Sequence, residues 1–436
     1  MSTHAHHASQ HLAQLLQART VSELEQNLQP KPPEAPDQFP GGSRITPAAV
    51  DRRWKALGAG ETLQSALLDP QTVEQMEAYR NNIENFIGTV KVPVGIAGPL
   101  RVNGLFAQGD YYLPLATTEA ALVASYSRGA HLLTAAGGCT TLLLSEGIGR
   151  APGFAFANLV EAGKFVMWAI AQQDAFRQVA EATTRHGKLI DLRVTVEGNH
   201  VYLDFQYTTG DASGQNMVTI ATQAICDYIQ QHTPIQPQYA FVEANLSGDK
   251  KASAQSFLSV RGKKVTAEVT LAADLVAKCL HATPAQMVDY WRMSALAGTL
   301  TGTIGVQGHY ANGLAALYLA CGQDVACVAE SAVGVTRFEV TAEGSLYAAV
   351  TLPNLVVGTV GGGTSLPSQQ TCLKILGLSG SGHARAFAEV CAALLLAGEL
   401  SIIGALTSGE FTRAHERRAR RKGGGGRERG GEGGRG

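Results

Sequence analysis

Apolar residues recur along this chain with two periods, one near 3.6 residues and one near 2, and the changes between them mark its elements. The clearest helical stretch is 309–324, HYANGLAALYLACGQD. Leu314, Leu317, Tyr318 and Cys321 share one stripe, and the Ala and Leu between them leave almost no polar face. A helix apolar all round is a buried helix. Asn312 is fitted to cap its start and Gly322 to end it. Asp324 follows at the negative end of the helix dipole, with the apolar run 325–328 beyond it. Burial would raise the pKa of such a carboxylate unless a cation stood near. Taken alone, Asp324 fits an exposed turn better.

Residues 1–45 are polar, rich in His and Gln, and end in KPPEAPDQFPGG. They predict a short helix that includes 23–28 and then an extended, flexible linker. Helical patterns follow at 48–57 and 73–81, and β-branched residues with Gly/Pro punctuation at 87–102 predict strands and tight turns. In LPLATTEAALVASYSRGAHLL, Thr117 or Thr118 caps a helix, Glu119 lies in its first turn, and 121–126 is its buried face. A strand at 140–144 leads to Arg150, where the pattern changes. Residues 152–240 read as a compact α+β unit: a helix through 157–179, alternating strands 188–196 and 201–207 around Glu197-Gly198-Asn199, and a helix at 220–229. A larger core resumes near 241, with a β segment at 345–352 and helices at 384–396 and 400–406. The predicted class is α+β. Its parts are a helical stretch 46–86, a large domain from 87–151 and 241–422, a small domain inserted at 152–240, and a disordered Gly/Arg-rich tail at 423–436.

The 436 residues are 45% hydrophobic and 16% charged, a globular profile. The net charge of −1 is unevenly spread. Residues 413–436 carry nine basic and three acidic groups, +6, and the rest carries 26 against 33, −7. Only the tail could attract anions, and no nucleic-acid partner is expected of the body. Seven cysteines without a C-x-x-C pair point to buried thiols and a reducing, cytoplasmic setting. No secretory signal opens the chain, and Glu389 and Glu399 interrupt its most apolar stretch, so no membrane partner is expected either.

The polar groups that could carry chemistry are ambiguous one by one. Glu119 fits a dipole-favoured first-turn acid. Arg128 fits an anion ligand and a surface arginine equally. The loop TTGDASGQNM, between strand and helix, could present N–H groups to a phosphate or be structural, and no G-x-G-x-x-G supports a Rossmann reading. Asp249, Lys250 and Lys251 in GDKK fit a solvated loop.

Seven blocks remove the ambiguity together: ENFIG (84–88), PVGIAGP (93–99), LATTEAALVAS (115–125), DASGQNM (211–217), GDKK (248–251), ACGQD (320–324) and GTVGGGT (358–364). In this order the chain resembles the 3-hydroxy-3-methylglutaryl-coenzyme A (HMG-CoA) reductases, from about residue 80 to 420. The TTE form at Glu119 is similar to the NADPH-dependent class I enzymes of eukaryotes and archaea, in a soluble prokaryotic version.

The resemblance implies four-electron reduction of HMG-CoA to mevalonate and CoA by two NADPH, with no metal. It implies that Lys250 stabilises the thioester oxyanion and that Glu119 donates a proton to mevaldehyde, with a raised pKa. Asp324 would link those two, and His415 would protonate the CoA thiolate. It places Asp211, Ala212, Ser213 and Asn216 in the cofactor loop of a ferredoxin-like small domain, with Thr184 and Arg185 at the 2′-phosphate. Arg150, Asp249, Lys251, Arg292 and Asn312 match contacts to HMG, and Ser125 and Arg128 lie where CoA binds. Arg292 stands where a lysine is usual, and Ala252 replaces a common proline. A homodimer or homotetramer is implied, with the site at the subunit boundary. Two other readings remain: NAD-linked oxidation of mevalonate on the same fold, and an inactive reductase-like body that binds RNA or acidic partners through its basic tail. The complete set Glu119, Lys250, Asp324 and His415 argues against the second.

Overall fold

A computed structural model of the chain describes residues 4–30, 39–259 and 261–409. His415 and the tail at 423–436 lie outside the described residues. The chain divides into two compact units, Met1–Thr89 and Val90–Gly436.

The first unit is helical: α1 (Ala5–Ala18), α2 (Val21–Leu28), α3 (Pro47–Leu57), α4 (Glu61–Leu67), α5 (Pro70–Glu74) and a 3₁₀ turn at Met76–Tyr79. The pattern missed α1, where Ala, Leu and Gln favour helix although the segment is polar. The expected helix at 73–81 is the end of α5 and the 3₁₀ turn, and the left-handed Asn81 ends it. α3 begins at Thr46, whose hydroxyl accepts the Ala49 N–H, and stops at the left-handed Gly58. Its inner face joins Ile45, Met76 and Phe86 in a small core. Buried Arg53 donates to the carbonyls of Pro40, Gly42, Arg44 and Phe86 and ties the incoming chain to that core.

The second unit is built on a ten-stranded sheet among the described residues. In chain order it contains β1 (Val94–Gly104), β2 (Gln108–Ala116), α6 (Leu122–Ala135), β3 (Cys139–Arg150), β4 (Gly153–Ala155), α7 (Leu159–Ala171), α8 (Gln173–Ala182), β5 (Lys188–Glu197), β6 (His200–Thr208), α9 (Gln215–His232) and β7 (Tyr239–Phe241). There follow β8 (Gly262–Leu271), α10 (Ala273–Leu280), α11 (Pro284–Thr301), α12 (Tyr310–Ala320), α13 (Val328–Ser331), β9 (Val335–Val340), β10 (Leu346–Leu355), α14 (Pro367–Leu376) and α15 (Ala384–Thr407). The main strand order is β7-β4-β6-β3-β8-β10-β9; β1 pairs with β2 and β3, and β5 with β6. Among the strands described, β1 and β3 pair in parallel and the other pairs are antiparallel. β3 joins two regions, since Thr140–Gly147 pairs with β8 and Ile148–Arg150 with β6. The stretch from β4 to β7 thus forms an antiparallel layer with α7, α8 and α9 beside it. This is the α+β class that the pattern predicts.

α15 is the central core element. It is one helix where two were expected, and by length and composition it could cross a membrane, yet most of it is buried inside the unit. Gly398 does not break it, because the Tyr126 ring fills the space beside that glycine. Gly129 of α6 lies so close to the Ala397 carbonyl that any Cβ there would overlap it, so the two helices touch backbone to backbone. Glu389 and Glu399 are fully buried in α15 rather than interrupting it. Glu389 accepts N–H groups from Leu105, Phe106, Ala107 and Leu143. Glu399 accepts those of Gly308 and His309 and the Thr336 hydroxyl. A buried carboxylate is tolerable when charge-assisted hydrogen bonds replace its water. All seven cysteines are free, six of them buried.

Candidate active site

Three of the seven blocks line one cleft of about 310 Å³. After β6 the chain turns through the left-handed Gly210 and Gly214, and α9 starts at Gln215 without a side-chain cap. Ala212, Ser213 and Asn216 lie on this wall. The uncapped start leaves N–H groups and the positive end of the helix dipole at the cleft, which suits phosphate or a polar ligand group. The other wall is Gly322–Asp324 with Gly358 and 360–364. Glycine is required here for contact between backbones: a Cβ on Gly322 would strike the Gly363 carbonyl, and one on Gly358 would strike the Ser213 nitrogen. The Asp211 side chain is engaged within the protein. Its oxygens accept the N–H groups of Gly382 and Ala384 at 2.8 and 3.2 Å, capping α15, and its carbonyl accepts the Thr359 N–H. Asp211 anchors the loop.

At the Asp324 side of the cleft stands Lys250, whose ammonium lies 2.8 Å from the Asp324 carboxylate with both side chains about half exposed. The Asp324 hydrogen bond holds Lys250 above the usual lysine range, against the opposing effect of desolvation. Asp324 is therefore a turn aspartate that also meets a cation. It caps a 3₁₀ turn by accepting the Ala326 N–H, so a helix start offsets the unfavourable end of α12. Among the described residues its carboxylate bonds Lys250 and the Ala326 N–H. Glu119 lies in the loop before α6, not in its first turn, because the helix begins at Leu122 behind a left-handed Ala121. Thr117 accepts the Glu119 N–H, and the Asn312 amide donates to both Glu119 oxygens at 3.1 and 2.9 Å. Asn312 is not the cap of α12, which starts two residues earlier at Tyr310. In the third helical position its side chain is free to hold the acid.

The other expected contacts divide. Arg150 is buried and pairs with Glu243 and Asp249 at 3.0 and 3.1 Å. Asp249 also pairs with Arg261 at 2.5 Å, and Lys251 donates to the Asp249 carbonyl. GDKK is thus a clamped loop rather than a solvated one. Ser125 and Arg128 both bond Ser401 of α15. Arg292 is exposed on α11 beside Asp289, apart from these contacts. Thr184 holds the turn before β5 by accepting the His186 and Gly187 N–H groups, and Arg185 is exposed there. Gly187 packs on Met217 of α9, which brings that turn beside the start of the cofactor-type wall.

Sequence patterning missed Arg261, Glu330 and Gln215. Arg261 pairs with Glu330 at 3.1 Å, and Glu330 accepts the Lys250 N–H. Gln215 lines the cleft and donates to the Cys327 sulfur. Burial pushes the Cys327 thiol up to about 12, so it is inert at neutral pH. Among the described residues no group of His, Cys, Asp or Glu is arranged to hold a metal.

Residues 49–420 match the family model for hydroxymethylglutaryl-coenzyme A reductase. The chain belongs to this family. Members of the HMG-CoA reductase family from archaea are similar over most of their length. The Methanothermobacter thermautotrophicus 3-hydroxy-3-methylglutaryl-coenzyme A reductase is 44% identical over 79% of this chain and 86% of its own. The Haloferax volcanii enzyme of that name is 44% identical over 78% and 85%. Among solved structures, the class II reductase from Streptococcus pneumoniae, bound to NADPH in open conformations, superposes with a TM-score of 0.62 at 19% identity. It covers 81% of this chain and all of its own. At that identity the likeness speaks for the fold, and the chain adopts the HMG-CoA reductase fold.

Proposed function

We propose that the chain reduces (S)-HMG-CoA to mevalonate and CoA with two NADPH used in succession, the first committed step of the mevalonate route to isoprenoids. The observation that carries this is the ion pair between Lys250 and Asp324, the latter on the wall of the cleft formed by the DASGQNM, ACGQD and GTVGGGT blocks. The cleft fits a nicotinamide cofactor in chemistry: an uncapped helix start, the Ser213 and Asn216 side chains, and a glycine wall without protruding Cβ atoms. When bound, NADPH supplies the hydride.

The protein's part is electrostatic and acid–base. The Lys250 ammonium, kept charged by Asp324, faces oxygen as it gains negative charge on the substrate carbonyl. Glu119, held by Asn312, supplies the proton to the aldehyde stage, and His415 protonates the departing thiolate. Arg150, Asp249, Lys251, Asn312 and Arg292 bind the HMG part, and Ser125 and Arg128 the CoA part. Thr184 and Arg185 read the 2′-phosphate, while Asp211, Ala212, Ser213 and Asn216, on a small domain at 152–240, hold the nicotinamide end of the cofactor.

The TTE form at Glu119 supports the class I, NADPH-dependent type. We place the enzyme in the cytoplasm as a homodimer or homotetramer. The deciding experiment is a steady-state assay with HMG-CoA that compares NADPH with NADH. Two NADPH oxidised per HMG-CoA consumed, with higher kcat/KM than NADH, is the expected result. A preference for NAD with mevalonate would move the chain to the catabolic direction, and no turnover of either would refute the reading.

A further inference from the structure

Lys250 has a feature that its role as a cation does not explain. Its φ is +57°, in the left-handed region that residues with a Cβ rarely enter. That conformation is strained for a residue with a Cβ and persists only where the surroundings enforce it.

The enforcing contacts come from one short segment on the far side of the sequence. Asp324 meets the ammonium, and six residues later Glu330 of α13 accepts the Lys250 backbone N–H at 3.1 Å. The segment thus holds the lysine at both ends. Glu330 is fully buried and shares Arg261 with Asp249, the residue preceding the lysine. Asp249 is in turn gripped by Arg150. Arg261 itself is nearly inaccessible, and its backbone N–H is fixed on Asn354. Every member of this chain of contacts is polar, buried or half-buried, and led back to the same loop. A stability role alone explains it poorly, because apolar residues of similar volume serve a core as well as buried ion pairs do.

We propose that Glu330 is a positioning residue for the oxyanion lysine: by accepting the Lys250 N–H and pairing with Arg261, it fixes the left-handed backbone that brings the ammonium to Asp324. This rests on the reductase reading of the site. Glu330 does not touch the reacting atoms; it acts through Lys250.

The electrostatics supply a signature. Burial pushes the Glu330 carboxyl up to about 7, with Asp249 adding to the rise and Arg261, the Lys250 N–H and Cys327 opposing it. The Tyr318 side chain also faces it. As pH falls through about 7, Glu330 takes up a proton, and its hold on Arg261 weakens. The anionic form is the positioning form, so kcat should fall on the acid side.

The test uses the full chain with HMG-CoA and NADPH from pH 5.5 to 9. E330Q has the shape of the protonated acid and keeps an acceptor for the Lys250 N–H. Its kcat at pH 8 should drop at least tenfold, since a misplacement near 1 Å costs about a hundredfold. KM values should stay within about threefold, and the acid limb near pH 7 should be absent, because the variant is already in the low-pH state. E330D, which restores the charge one methylene shorter, should recover part of kcat and the limb. An unchanged kcat in E330Q would overturn the proposal. So would a reduced kcat with the wild-type limb intact, which would assign Glu330 to general stability. A wild-type chain without HMG-CoA turnover would overturn the reductase reading and this proposal with it.

Discussion

Gly322→Ala tests whether the cleft depends on contact between its two glycine-bearing strips. Gly322 has φ +67°, and a methyl there would lie 2.5 Å from the Gly363 carbonyl carbon and 2.8 Å from the Thr364 nitrogen. These are backbone atoms, so no side-chain rotation relieves the overlap. Ordinary contact begins near 3.4 Å, which requires the 361–364 strip to retreat by about 1 Å. Left-handed alanine adds roughly 1–2 kcal/mol of its own. Gly362→Ala is the control, because Gly362 also has positive φ, at +55°, but no atom within 4 Å of a new Cβ. Both variants carry the conformational strain, and only the first moves the wall. A displacement of that size near reacting groups costs about a hundredfold in rate. Steady-state kinetics with NADPH and HMG-CoA, beside thermal unfolding, should show kcat/KM for NADPH falling about a hundredfold in Gly322→Ala and only a few-fold in Gly362→Ala. Equal losses in the two would refute the argument that the close approach, rather than the backbone conformation, shapes the cleft.

Lys250→Ala should fold normally, because the side chain is half exposed, and should lose about a hundred- to a thousandfold in turnover; near-normal turnover would misplace the site. Arg185→Ala should raise KM for NADPH about ten- to a hundredfold while leaving NADH nearly untouched, and equal losses would make Arg185 a support of the domain. Asp211→Ala removes the cap of α15, so it should lower stability by about 0.5–2 kcal/mol in denaturant unfolding as well as weaken NADPH, and loss of binding at full stability would contradict the anchoring role. His415→Gln should slow HMG-CoA reduction much more than reduction of free mevaldehyde, which releases no thiolate; equal slowing would remove the proton-donor role.

Fold class and the two kinds of periodicity were legible because they are local. Alternation in β5 and β6 and the apolar stripe of α12 each show within a window of about ten residues. The site was legible only as blocks. That Lys250 meets Asp324 followed from the resemblance, whereas the position of Glu119 before α6 did not, since a Thr-Thr-Glu run before an apolar stretch looks like a capping box. Glu330, Arg261 and Asp249 could not be joined by inspection, because Glu330 lies 80 residues from Lys250 and 69 from Arg261. Glu389 and Glu399 did leave a trace: an acid in an otherwise apolar helical run must find donors if the helix is buried. That trace reads equally as an interruption, and only the structure shows the loops that supply the donors.

The two carboxylates of α15 also order the protein in time. Glu389 closes the loop at 105–107 across 284 to 282 residues, and Glu399 closes the entry to α12 across 91 and 90. On a ribosome adding roughly 5–20 residues per second, the first loop waits about 15–60 s for its acceptor and the second about 5–20 s. Until α15 emerges, those N–H groups have only water, and the segment that brings Asn312 to Glu119 is unanchored. The sheet can pair early, but Asn312 and Glu119 are held together only after α15, the last helix among the described residues, is made. A nascent chain stopped before residue 384 would therefore carry most of the scaffold without the two carboxylates that hold these loops.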